Sequence, residues 1–229
     1  PGQDSSLRTP LNQMAAAGIP GVVFEMETSE DEIMDREFSR QTHIQTDRLE
    51  RGDLRDEEWP SYVQAVERMS SPDYTLFLDF SVGWNTTSLR AELLRLKTQH
   101  HLRWFMIDYL KFLRDSPGLK EVERLNAISI NLKRICRELD MAGIVIHHLN
   151  KEGLRSEAPG MDDMSQGADI AFDADKILFL TDHIPQPGEI KKDNLVTFIF
   201  VKSRRKLAGK FFHQVAIQDY PHFGELARY

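Results

Sequence analysis

Apolar residues come in short blocks along this chain, and the blocks follow two rhythms. GVVFEM (21–26), TLFLDF (75–80), LRWFMIDYL (102–110) and AGIVIHHLN (142–150) are compact apolar or β-rich runs with turn-forming or polar neighbours, which predicts strands. Between them apolar positions recur every three or four residues, the helical period. NTTSLRAELLRLKTQHH (85–101) reads as a capped amphipathic helix, and 119–140 sets Val122, Leu125, Ile128, Leu132, Ile135 and Leu139 on one stripe. Cys136 falls on or beside that stripe as a small core residue. A helix follows 21–26 at once, capped by Thr28 or Ser29, with Glu30, Asp31 and Glu32 in its first turn to complement the dipole. Asp56 to Met69 predicts a further helix, with Trp59, Val63 and Val66 inward and Pro60 confined to its first turn.

The chain finishes differently. ADKILFLTD (174–182), NLVTFIFVKS (194–203) and FFHQVAIQD (211–219) predict strands in succession, with a basic turn between the last two. Strand–helix alternation followed by strands alone predicts an α/β fold: a doubly wound, mostly parallel sheet with helices on both faces and antiparallel strands at its C-terminal edge. The nearly unbroken run 102–110 suits a central strand covered on both faces. A length of 229 residues suits one large domain over 1–229.

Ligands of such sheets bind beyond the carboxyl ends of the strands. Glu27, Asp79, Asp108, His147, His148 and Asn150 occupy those ends. Asp108 after an apolar run resembles the Walker B carboxylate that holds Mg²⁺, and equally a strand-end Asp that caps its own turn. Glu27 could orient and deprotonate a water, and Glu25 shares its face. His147 and His148 point to opposite faces of a strand and do not chelate one ion, so a structural zinc site is not expected. No G-x-S-x-G elbow is present for a hydrolase triad.

Composition narrows the classes. A hydrophobic fraction of 41% and a charged fraction of 28% are ordinary for a globular protein, and no apolar run is long enough to cross a bilayer. With one cysteine and no secretory signal, a cytoplasmic, intracellular setting is expected. A net charge of −7 argues against a surface basic all over, yet basic density at 202–210, Lys191, Lys192 and 150–155 leaves a local path for phosphates. For each basic stretch alone, a solvated loop explains the pattern as well.

Taken together, DRLERGDLRDEEW, LFLDFS, RWFMIDYLKFL, LKRICRELDMAGIVIHHLNKE, AFDADKILFL and VKSRR resemble, in order and spacing, the RecA-like motor domain of DnaB-type replicative helicases. The motors of Twinkle and of phage primase-helicases are similar. The resemblance runs over about residues 18 to 219. It implies a ring-shaped homo-hexamer that uses ATP and Mg²⁺, moves along single-stranded DNA, and meets a primase and a helicase loader.

Carried onto this chain, the resemblance makes Glu27 the residue that activates water, Asp108 the Mg²⁺ carboxylate and His148 the sensor of the γ-phosphate. Lys202 and Arg204 would reach into the neighbouring subunit's site. Residues 151–166 would line the channel, with Lys151 and Arg155 on the DNA backbone. The phosphate loop departs from the family. Read as GxxxxGK[ST] from Gly2 to Thr9, Leu7 replaces the second Gly, Arg8 replaces the Lys and Pro10 follows in the first helical turn. Counted back from Glu27, the GKSS signature falls on QDSS, with Ser5 and Ser6 in register and Asp4 at the lysine position. The second register makes the better helix, and neither supplies the Lys. The first lysine is Lys97. No strand precedes this region, which predicts unpaired backbone in the sheet or a chain that starts late. The alternative to a motor is a DNA-binding or scaffold relative without ATPase activity.

Overall fold

The apolar runs 21–26 and 102–110 become two adjacent strands, β1 (Gly21–Glu25) and β3 (Trp104–Asp108), and every residue in both is buried. The computed structural model describes residues 3–150, 153, 160, 161, 164, 168–182, 195–203, 210–217 and 222–224. With β2 (Leu76–Asp79) and β4 (Ala142–Val145), these strands form a parallel sheet in the order β2-β1-β3-β4. Register pairs Val22 with Phe105, Val23 with Met106 and Glu25 with Asp108.

Alternation along the strands sends side chains to two faces. Val22, Phe24, Phe105 and Ile107 meet Leu89 and Leu93 of α5 (Thr86–His100) and Leu125, Ile128 and Leu132 of α6 (Glu121–Glu138). Val23, Trp104 and Met106 meet Leu11 and Ala15 of α1 (Gln3–Ala16) on the other face. Cys136 packs against the first of these cores, where burial raises its thiol pKa. Gly21 is required by this packing, because a Cβ there would stand 1.9 Å from the Trp104 ring. Asn85 caps α5 by accepting from the Thr87 and Ser88 N–H groups, and Ser29 caps α2 (Glu30–Thr42). α1 starts at Gln3, so SSL lies within it, and Pro10 sits inside the helix rather than in its first turn.

Three expectations change. α4 spans Trp59–Met69 and turns its stripe outward: Trp59 is 48% exposed, Val63 47% and Val66 37%. Ala65 is buried instead, and Tyr62 stacks on Phe38 of α2 at 5.0 Å, so the opposite face of the helix makes the contact. Val122 is exposed because the first turn of α6 precedes the part that lies on the sheet. The run 142–150 is a strand only to Val145, leaving both histidines beyond its end.

The last strands form a sheet of their own. β5 (Lys176–Asp182), β6 (Leu195–Ser203), β7 (Phe211–Ile217) and β8 (His222–Gly224) are antiparallel in chain order. They are not the edge of the first sheet, since among the described residues β4 pairs with β3 alone. A ladder continues only where the next strand lies about 4.8 Å away. The short helix α7 (Ala168–Asp173) joins the two parts: its Ile170 enters the main core and its Ala171 packs with Ile177 and Phe179.

Candidate active site

Parallel strands bring their carboxyl ends to one edge, and acids collect there. Glu25 and Asp108 stand in register on β1 and β3, with relative exposures of 1% and 2%. Two buried carboxylates side by side are costly unless cations or N–H groups face them. The Glu25 Oε1 atom accepts from the Glu27 N–H at 3.3 Å and the Thr28 N–H at 3.1 Å. Glu25 therefore shapes the turn that holds Glu27 at the exposed end of β1. The Asp108 carbonyl accepts from the Met26 N–H at 3.0 Å, which locks that turn to the end of β3.

His148 follows β4 and lies against Tyr109, the residue after Asp108, with ring centroids 4.3 Å apart. Continuing backbone bonds hold this corner: the Ile146 N–H donates to the Ile107 carbonyl and the Leu110 N–H to the Ile146 carbonyl. Glu27, Asp108 and His148 thus share one edge of the sheet. Asp79 and Asn150 do local work instead. Asp79 accepts from the Ser81 N–H at 2.8 Å, and Asn150 accepts from the Gly153 N–H at 2.7 Å.

Below this edge a buried polar group ties the flanking helices together. Glu37 of α2 accepts from Asn12 of α1 at 3.1 Å, from Gln41 at 3.0 Å, from Arg40 and from the Tyr74 hydroxyl at 3.3 Å. Burial pushes the Glu37 carboxyl up, but the hydrogen bonds and charge of Arg40, with Gln41 and Asn12, outweigh it and hold it below its usual value. Burial and then the Glu37 charge raise the Tyr74 phenol.

Lys202, at the end of β6, donates to the carbonyls of Ala171 at 2.6 Å and Phe172 at 3.0 Å. These are exposed helix-end acceptors of α7, and a lysine there also suits the negative end of the helix. Ser5 and Ser6 lie near the start of α1. Gly2, Lys151, Arg155 and Arg204 fall outside the described residues. Sequence reasoning missed the capping role of Glu25 and the Asn12–Glu37–Tyr74 link. The Glu37/Arg40 spacing on a helix was the available signal for the latter.

The donor set fits a divalent cation in part. A strand-end carboxylate such as Asp108 suits Mg²⁺ held largely through water, and among the described residues no three His, Cys, Asp or Glu side chains gather into a complete protein cage. The phosphate half lacks its ammonium, as the first lysine, Lys97, lies in α5 with its Nζ on the Leu139 carbonyl.

Residues 5–218 match the DnaB-like helicase C terminal domain. The chain belongs to that family. Its fold is RecA-like: a solved helicase ATPase domain superposes with a TM-score of 0.84 over 94% of this chain and 78% of that one, at 22% identity. A structure titled "The Structure Of A DnaB-Like Replicative Helicase And Its Interactions With Primase" superposes equally well, over 52% of its own length. The replicative DNA helicase DnaC of Bacillus subtilis is 26% identical over 90% of this chain, and the replicative DNA helicase DnaB of Geobacillus stearothermophilus 28% over 90%. The DnaB of Helicobacter pylori is 33% identical over 69% of this chain and 33% of its own length. The chain spans about half the length of the first two relatives, 46% of each. Among the described residues no helix of this DnaB-like domain is long and apolar enough to cross a membrane.

Proposed function

We propose that residues 1–229 form a single motor domain of a ring-shaped, intracellular replicative DNA helicase. Six copies hydrolyse ATP at their interfaces and move along single-stranded DNA. The observation that carries this reading is the edge where Glu27, Asp108 and His148 meet in a DnaB-like domain. When bound, Mg²⁺ and ATP would supply the polarised phosphoryl group and the free energy for movement.

The residues of the chain divide the remaining work. Glu27, exposed on a turn held by Glu25, orients a water and takes its proton on a carboxylate oxygen. Asp108 holds the cation through water at the end of β3. His148, against Tyr109, offers an imidazole N–H to the terminal phosphate and links that contact to residues 151–166. Lys202 and Arg204 act on the site of the neighbouring copy, Lys202 leaving the α7 carbonyls to do so. Lys151 and Arg155 contact DNA phosphates without reading bases. Ser5, Ser6 and Gly2 mark the phosphate-loop position, and a primase and a helicase loader are the protein partners.

A second reading is a DnaB-like DNA-binding or scaffold protein that does not hydrolyse ATP, and the absence of any lysine before Lys97 favours it. Hydrolysis of ATP with and without single-stranded DNA separates the two. The motor reading expects DNA-stimulated turnover that falls at least roughly a hundredfold in Glu27→Gln and Asp108→Asn. Rings that form without hydrolysis above a no-enzyme blank establish the scaffold.

A further inference from the structure

The outer side of α6 and α7 carries a groove with an unusual lining. Phe172 is 70% exposed and Ile130 60%, and they line an open groove of about 670 Å³ with Lys133, Arg134 and Arg137. Lys133 is held by Asp175, while Arg134 and Arg137 are exposed. Large apolar side chains framed by cations make a surface suited to an acidic, partly apolar partner. Lys202 fixes the groove wall by binding the Ala171 and Phe172 carbonyls. The groove therefore lies on the same side of the molecule as the residue that, in the function proposed above, acts on a neighbouring copy.

The matching surface is present on the same chain. Beyond the carboxyl ends of β1 and β2, which pair in parallel, Glu27, Glu30 and Asp31 are exposed and Val82 is 74% exposed. Glu30 and Asp31 begin α2, and the chain as a whole carries a net charge of −7, so a cationic groove is the local exception. We propose that the α6–α7 groove of one copy docks on the acidic rim at 27–31 of the next, with Phe172 and Ile130 against Val82 and Arg134 and Arg137 against Glu30 and Asp31. The two patches differ and sit on separate parts of the fold. Their contact is head-to-tail, the kind that closes into a ring when the rotation per copy allows. It would also carry Lys202 and Arg204 toward the Glu27 edge of the copy they serve.

This inference rests on the proposed trans role of Lys202 and Arg204, and its test is separable from it. Two full-length variants are compared by sedimentation velocity near 0.1 M salt: Arg134→Glu with Arg137→Glu, and Glu30→Lys with Asp31→Lys. Far-UV circular dichroism checks that each is folded. Either pair alone is expected to raise the concentration needed for assembly roughly tenfold or more. A one-to-one mixture of the two restores assembly, because each then offers the other a complementary face, and so does one chain carrying all four changes. Phe172→Ser weakens assembly at every salt concentration, whereas the charge effects fade at high salt. A wild-type chain that stays monomeric, single pairs that assemble like wild type, or a four-fold variant that does not recover overturns the proposal. Recovery without ATP hydrolysis leaves the docking intact and removes the motor reading. Hydrolysis with no charge-swap effect does the reverse.

Discussion

β3 and β4 are neighbours made from similarly apolar sequence, yet they live in different surroundings. All of Trp104–Asp108 is buried, whereas in Ala142–Val145 only Ile144 is partly covered and Val145 is 38% exposed. The difference lies in what stands beside each strand. β3 has β1 on one side and β4 on the other, while β4 pairs with β3 alone among the described residues. A strand's own residues therefore report its tendency to pair, and its position in the sheet decides how much that pairing is worth.

The largest expected effect tests the centre against the edge directly. Phe105→Ala removes a fully buried ring and is expected to cost about 4 kcal/mol in urea unfolding, against under about 1 kcal/mol for Val145→Ala. Equal losses would break the distinction. Glycines give a subtler contrast. Gly21→Ala drives a methyl into Trp104, itself 2% exposed, and is expected to cost about 3 kcal/mol. Gly143→Ala meets the Cys136 Sγ at 2.6 Å and the Phe105 ring at 2.9 Å, but an edge strand can shift outward, so about 1 kcal/mol is expected. The smallest effect concerns the helix that covers the centre. Glu37, tied to α1 through Asn12, has a lowered carboxyl pKa. A group lowered by folding adds stability that is complete above its unfolded value of about 4.3 and is lost as pH falls through the folded value. Glu37→Gln is expected to cost about 1 kcal/mol at neutral pH and to flatten the fall in stability below pH of about 4.3. An acid limb identical to wild type would mean that Glu37 does not pin this cover.

The same contrast explains what the sequence reveals. β1 and β3 are legible because a strand buried on both faces is apolar almost without interruption. The placement of Asp108 and Glu27 at one edge follows from parallel strands sharing a direction. α4 misleads because Trp59, Val63 and Val66 are spaced as well for one face as Tyr62, Ala65 and Met69 are for the opposite one. Only contact with Phe38 of α2 chooses between them. The division into two sheets depends on a missing neighbour for β4, and strand patterns do not specify neighbours. Lys202 on α7 is hidden for another reason: its acceptor Ala171 lies 31 residues away and offers a main-chain carbonyl, which has no residue code.

Glu25 has a kinetic consequence. Its carboxylate holds the amides of Glu27 and Thr28 by contacts internal to the chain. The turn beneath the proposed base does not have to be gathered from many shapes when substrate arrives, so little reorganisation is left for the reacting step. Speed at this edge would then be limited by how quickly neighbouring copies come together, rather than by how quickly one copy arranges itself.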